Sequence, residues 1–328
     1  MSPRGRGSPW LLIAAALLAI GVVVASCSSP AQSSGAAGAA AAEPTQASAS
    51  PATPTPQEPV SAATGGQGEL SGSIQVKGSD TMVNLGSAWA EDFMKLNPKV
   101  NVAVTGGGSG TGIAALINRS TDIAQASRPM KSEEIEKAQA NGVNPKEIMV
   151  ALDGLAVVVN PANPVKELTF DQLADIYVGK IANWKEVGGN DAPMVVLSRD
   201  TNSGTHVFFK EHVVQSKDKK AEYGPRVQMM SSSQAGVQEV SQNPNAIFYV
   251  GLGYVSDSVR VLGIKKDEQS PAVTPSAETV TSGEYPVARP LFFYSDGDPT
   301  GVAKAFVDFV LGPDGQKIVG DLDFVALR

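Results

Sequence analysis

Eight consecutive residues, Ser198-Arg199-Asp200-Thr201-Asn202-Ser203-Gly204-Thr205, bring together a guanidinium, a glycine and several hydroxyls. The apolar run Met194-Val195-Val196-Leu197 before them reads as a buried strand, and the apolar-polar pattern from His206 onward reads as a helix. Ser203 or Thr205 is then placed to cap that helix. The first N–H groups of a helix have no internal partner and point outward, which suits them to an anion. Gly204 lets the backbone approach closely, the hydroxyls donate, and Arg199 adds a planar fork of donors. A strand-turn-helix with a capping hydroxyl and a surface Arg would share this pattern, but two more loops of the same kind favour the anion.

These are Gly78-Ser79-Asp80-Thr81 and Gly108-Ser109-Gly110-Thr111-Gly112, and a second arginine, Arg128, stands near another strand end. In an open α/β sheet such loops gather at the carboxyl edge of the strands, where ligands bind. Three helix starts, their hydroxyls and two guanidiniums would suit a tetrahedral oxyanion. Other chemistries lack their motifs. The glycines of 106–112 do not stand at i, i+2 and i+5, and Gly179-Lys180 is followed by Ile181, so neither nucleotide fingerprint is present. Ser109 has Gly107 at i−2 but Thr111 at i+2, so there is no hydrolase elbow. The histidines, His206 and His212, fall about 120° apart round a helix and do not make a metal pair. His206 reads as a partly exposed first-turn residue. With no metal, cofactor or general base in view, the site reads as binding without catalysis.

The elements that must position these loops alternate. Strands are expected at Ser73–Val76, Val100–Val104, Thr121–Ala126, Ile148–Leu152, Leu155–Val159, Met194–Leu197, Ala246–Val250 and Val287–Tyr294. Asp153-Gly154 reads as the turn between two of them. Leu85, Trp89 and Phe93 line one helix face, and Ile113, Leu116 and Ile117 another. Helices are also expected over Ser132–Ala140, from the capping box Thr169-Phe170-Asp171-Gln172 to Gly179, over Ser231–Gln242, and after a cap at Asp298 or Thr300. The alternation predicts an α/β protein with mainly parallel sheets.

Residues 1–26 have the layout of an export signal: Arg4 and Arg6, an apolar centre from Trp10 to Val24, then Val24-Ala25-Ser26-Cys27. Cys27 is the one cysteine in the chain, which excludes an internal disulfide, and its setting matches a lipoprotein lipidation box. Residues 27–69 are Ala, Ser, Pro, Thr, Gln and Gly with hardly a large apolar side chain, and read as a disordered tether. The formal charge of −7 and the lack of a basic run argue against nucleic acid.

Five stretches in order resemble one family: Lys77-Gly78-Ser79-Asp80-Thr81, Gly107–Gly112, Asp122–Pro129 with Ser127-Arg128, Asp153–Asn160, and Arg199 with Ser203-Gly204-Thr205. Leu173–Trp184 fits the same pattern. Together they are similar to the phosphate-binding proteins of ABC phosphate importers. The resemblance implies a class II two-lobe periplasmic binding protein fold, with mainly parallel sheets joined by crossing hinge strands. Residues 70–154 and 287–328 would form lobe I, and 155–286 lobe II. It implies inorganic phosphate held by Thr81, by Ser109 with Gly110 and Thr111, and by Arg199, Ser203, Gly204 and Thr205, with Ser79 beside them. It further implies a lipid-anchored, extracytoplasmic monomer that delivers phosphate to permease subunits, with no cofactor. The chain departs from the family at Ser127-Arg128, where many members place an Asp that accepts the ligand's proton. Asp80 or Asp153 is expected to replace it, and Arg128 to add a second cationic clamp. That departure keeps sulfate or molybdate open as ligands. An exported phosphate-ester hydrolase is the remaining alternative, and a fold kept for adhesion or signalling a further one.

Overall fold

The computed structural model describes residues 69–327. The expected signal and Cys27, and the expected tether up to residue 68, lie outside the described residues. Glu69 is described, and its carboxylate pairs with Lys99 Nζ at 2.6 Å.

The chain opens with β1 (Gly72–Gly78), α1 (Val83–Leu96), β2 (Val100–Thr105), α2 (Ser109–Ile117), β3 (Ile123–Ala126) and α3 (Ser132–Ala140). A long strand, β4 (Pro145–Val159), leads into β5 (Glu167–Thr169), α4 (Phe170–Tyr177), β6 (Val195–Arg199) and α5 (Gly204–Phe209). Then come β7 (Gln228–Met230), α6 (Ser233–Gln242), β8 (Ala246–Gly251), β9 (Arg260–Val261), β10 (Gly263–Lys265) and α7 (Ala277–Thr281). β11 (Ala288–Asp296), α8 (Gly301–Leu311) and α9 (Pro313–Asp321) close the chain.

The main sheet runs β2-β1-β3-β11-β4-β8-β6-β7, with β9 also on β4. β1 pairs in parallel with β2 and β3, and β6 in parallel with β7 and β8. Every antiparallel pairing among the described strands involves β4 or β11. Those two strands therefore join two parallel blocks. β4 pairs with β11 up to Gly154 and with β8 from Leu155 onward.

The buried apolar residues divide the same way. Trp89, Phe93, Phe293 and Phe306 anchor one cluster, built from residues before Leu152 and after Pro290. Tyr177, Trp184, Phe209 and Tyr249 anchor another, drawn from 155–287 with Val325. Trp89 is fully buried, and its indole N–H donates to Gly315 O at 2.8 Å. Truncating such a residue to Ala costs about 3–5 kcal/mol, whereas an exposed helix pair such as Lys304–Asp308 contributes about 0.3–0.5 kcal/mol. The cores, not the surface ion pairs, hold the lobes.

Asp153-Gly154 is not a turn. The two expected strands are one, because Asp153 lies opposite Arg289 in the β4–β11 register and binds it. Gly154 is needed for packing: a Cβ there would lie 2.9 Å from Val280 and 3.0 Å from Pro275.

Candidate functional site

Three loops of the first block meet at the end of its strands. Gly78 ends β1 at φ 142, and a Cβ on it would come within 2.2 Å of Gln125 O, so the chain turns tightly against β3. Ser79 Oγ then donates to Ser127 Oγ at 2.9 Å. Ser109, in the first turn of α2, accepts the Ser127 N–H at 3.0 Å. Ser79, Thr81, Ser109 and Ser127 are all buried.

The second block supplies the facing group. Ser203 caps α5, accepting the N–H of Thr205 at 3.2 Å and of His206 at 3.5 Å. Arg199 leaves the end of β6 with a side chain 2% exposed. Its Nε donates to Met230 O, Nη1 to Ser233 Oγ at 2.9 Å, and Nη2 to Ser231 O and Asp80 Oδ2, the last at 2.7 Å. These bonds hold the fork in one orientation beside the cleft.

Contacts between the blocks are direct. The hydroxyls of Thr81 and Thr205 lie 2.7 Å apart. Gly110 N–H donates to Asn202 O at 3.0 Å, and Asn202 Nδ2 donates to Gly107 O at 2.7 Å. Tyr254 donates to Asp80 O at 2.5 Å, and burial with the nearby Asp80 charge pushes its phenol up to about 12. Gly204 sits on the opposite hydroxyls: a Cβ there would fall 2.2 Å from Ser109 Oγ and 2.7 Å from Ser127 Oγ. At the crossing strands, Arg289 binds Asp153 and reaches Thr81 Oγ1 at 3.3 Å and Thr205 Oγ1 at 3.0 Å. Burial raises the Asp153 carboxyl above its ordinary range, opposed by Arg289.

The structure thus brings Ser79, Asp80, Thr81, Ser109, Gly110, Arg199, Ser203, Gly204 and Thr205 to one cleft. Thr111 stands at its rim, with its hydroxyl donated to Gly107 O at 2.6 Å. Asp153 lies behind the cleft, with no exposure and its oxygens engaged by Arg289 and the Leu252 N–H. Arg128 does not join: both its Nη groups donate to Glu134 at 2.7 Å, and Nη1 also to Pro129 O. That pairing offsets the cost of burying Glu134 and holds its carboxyl below the ordinary value. His206 is buried, not partly exposed; its Nδ1 lies 3.2 Å from Ser198 Oγ, and desolvation lowers its pKa. Sequence reasoning passed over Ser127, Asn202, Tyr254 and Arg289. Ser127 had a signal, a hydroxyl at a strand end; Arg289 showed only as a charge within an apolar strand.

Two α/β blocks joined by crossing strands, with polar loops meeting between them, define a two-lobed ligand-binding protein. A PBP superfamily domain model matches residues 25–314. The phosphate-binding protein PstS of Bacillus subtilis is 32% identical over 265 residues, covering 79% of this chain and 82% of that protein. A Clostridium perfringens protein assigned as a phosphate ABC transporter substrate-binding protein, solved with bound phosphate, is 35% identical with a TM-score of 0.70. That match covers 78% of this chain and all of the solved one. An ABC-type phosphate transport receptor from Vibrio cholerae is 30% identical with a TM-score of 0.62, over 77% of this chain and 99% of its own. The chain belongs to the PstS-type phosphate-binding protein family.

Proposed function

We propose that this protein captures inorganic phosphate between its lobes and delivers it to the permease of an ABC importer, binding it without covalent change. The observation that carries this reading is the meeting of donors from both lobes: Thr81 against Thr205, with Arg199 held beside them. A tetrahedral anion seated there would receive Ser and Thr hydroxyls, the free N–H groups of two helix starts and a guanidinium. Residues 70–154 with 287–328 move as one body and 155–286 as the other, hinged on β4 and β11. Asp80 takes the part of the ligand's proton acceptor. It is the carboxylate beside Arg199, whereas Asp153 is consumed by Arg289 and Arg128 is turned to Glu134.

Titration calorimetry of the full folded region with phosphate tests the reading. The wild type should bind tightly. Arg199→Ala should weaken binding on the order of 100-fold or more, since it removes a buried charged donor and strands Asp80. Ser203→Ala should cost about tenfold. A wild type that releases no heat with phosphate, yet binds sulfate or molybdate, would transfer the site to another oxyanion.

Export and anchoring complete the proposal: residues 1–26 direct the chain out of the cytoplasm, and a lipid on Cys27 holds it, as a monomer, to the membrane. Detergent-phase partitioning should be lost in Cys27→Ser, and its persistence would refute the anchor.

A further inference from the structure

Arg289 is carried by β11, one of the two strands that cross between the lobes, and its side chain is 1% exposed. Its Nε and Nη2 donate to Asp153 Oδ2, its partner in strand register. Nη2 also reaches Thr81 Oγ1 of one lobe and Thr205 Oγ1 of the other. Nη1 is buried and has no partner among the described residues. A buried ion pair of this kind is weak support for a fold, because apolar residues of similar volume commonly replace it without loss. Leaving donors idle makes it weaker still.

A hydroxyl has one proton to give and lone pairs with which to accept. Thr81 and Thr205 lie 2.7 Å apart, so one hydroxyl donates to the other, and with the Arg289 N–H groups on their lone pairs the one remaining hydroxyl proton is turned away from the guanidinium. We infer that Arg289 is a positioning residue of the cleft: it occupies acceptor lone pairs of the bonded Thr81–Thr205 pair and aims the pair's one remaining proton at a bound anion, so that this pole admits only an unprotonated phosphate oxygen. The inference rests on the phosphate reading above. Phosphate dianion carries one proton, which faces Asp80 at the other pole. The monoanion carries two, and its second meets a donor. The site therefore selects the dianion.

Asp153 from β4, Tyr249 from β8 and Arg199 from β6 surround the guanidinium, Tyr285 faces Asp153, and His206 follows Thr205. Burial holds both tyrosines above and His206 below their ordinary values, which favours the neutral form of all three.

The test is calorimetric titration with inorganic phosphate at about pH 6.5 and about pH 8.5, on either side of the ligand's second ionisation. The wild type is expected to bind more tightly at the higher pH. Arg289→Met combined with Asp153→Leu leaves no stranded charge. It should lose on the order of 10- to 100-fold in affinity at the higher pH and less at the lower, narrowing the ratio. Arg289→Lys keeps the charge and Asp153 but not the planar fork, and should narrow the ratio by a smaller amount. It therefore separates the effect from any titration of Asp153. Equal loss at both pH values in the double variant, or an unchanged ratio in Arg289→Lys even where the double variant fails to fold, overturns the inference. A wild type blind to phosphate overturns both readings; a phosphate-binding wild type matched by its variants overturns this one alone.

Discussion

Asp80 serves two contacts at once: Oδ2 accepts from Arg199 and Oδ1 from the Gly107 N–H at 2.9 Å. Each oxygen keeps a lone pair, so the carboxylate can still accept a proton from a ligand. Sulfate has no such proton at neutral pH, and a bare carboxylate repels it. In Asp80→Asn, sulfate should displace phosphate at least tenfold more effectively than in the wild type, measured by competition calorimetry. Unchanged rejection of sulfate would take the acceptor role away from Asp80. At this scale the meeting of the hydroxyl loops with Arg199 was legible, because strand-end and helix-start signals put these residue types at one edge of the sheet. Ser127 and Arg128 were not told apart. Successive residues on an extended chain point to opposite faces, so one of them enters the cleft and the other leaves it. Which one enters depends on a partner, Glu134, that only the folded helix α3 presents.

The elements that carry these residues meet through glycine. Gly204 lies at the start of α5, where its backbone is ordinary and alanine would cost the isolated helix nothing. Its constraint comes from the other lobe, since a Cβ there collides with Ser109 and Ser127 hydroxyls. Gly204→Ala should therefore leave the thermal unfolding of the unliganded chain unchanged or raise it slightly, by up to about 1 kcal/mol. Phosphate affinity should fall more than tenfold. Equal affinity would mean the lobes do not close to this contact. Helix starts show a related division. Ser203 and Thr169 cap their own helices through their hydroxyls, as their sequence signals predict. Ser79 and Thr300 make no such bond. Ser79 gives its hydroxyl to Ser127 of another loop instead, a contact that local propensity cannot announce.

For the whole molecule, β4 and β11 are the shared connection between two cores, and the loops facing across them share hydroxyl, carboxylate and amide contacts. A hinge of this kind predicts that added phosphate shifts the population toward the closed form. Small-angle scattering from residues 69–328 should show a smaller radius of gyration with phosphate than without it. An identical profile in both conditions, with binding established by calorimetry, would mean that the lobes do not move on the ligand.

Local pattern was enough for the alternation of strands and helices, the apolar faces around Trp89 and Phe93, the box that starts α4 and the three hydroxyl-rich loops at strand ends. Each depends on neighbours within a few positions, and the period of burial or the type of cap shows in the order of residues. The continuity of β4 through Asp153-Gly154, the burial of His206, the turning away of Arg128 and the reach of Arg289 to both lobes belong to the folded molecule alone. Each is settled by a charge or packing partner distant in the chain: Asp153 meets Arg289 136 residues on. A lone sequence exposes a residue's chemistry, but the group that satisfies or opposes it appears only when the chain has folded.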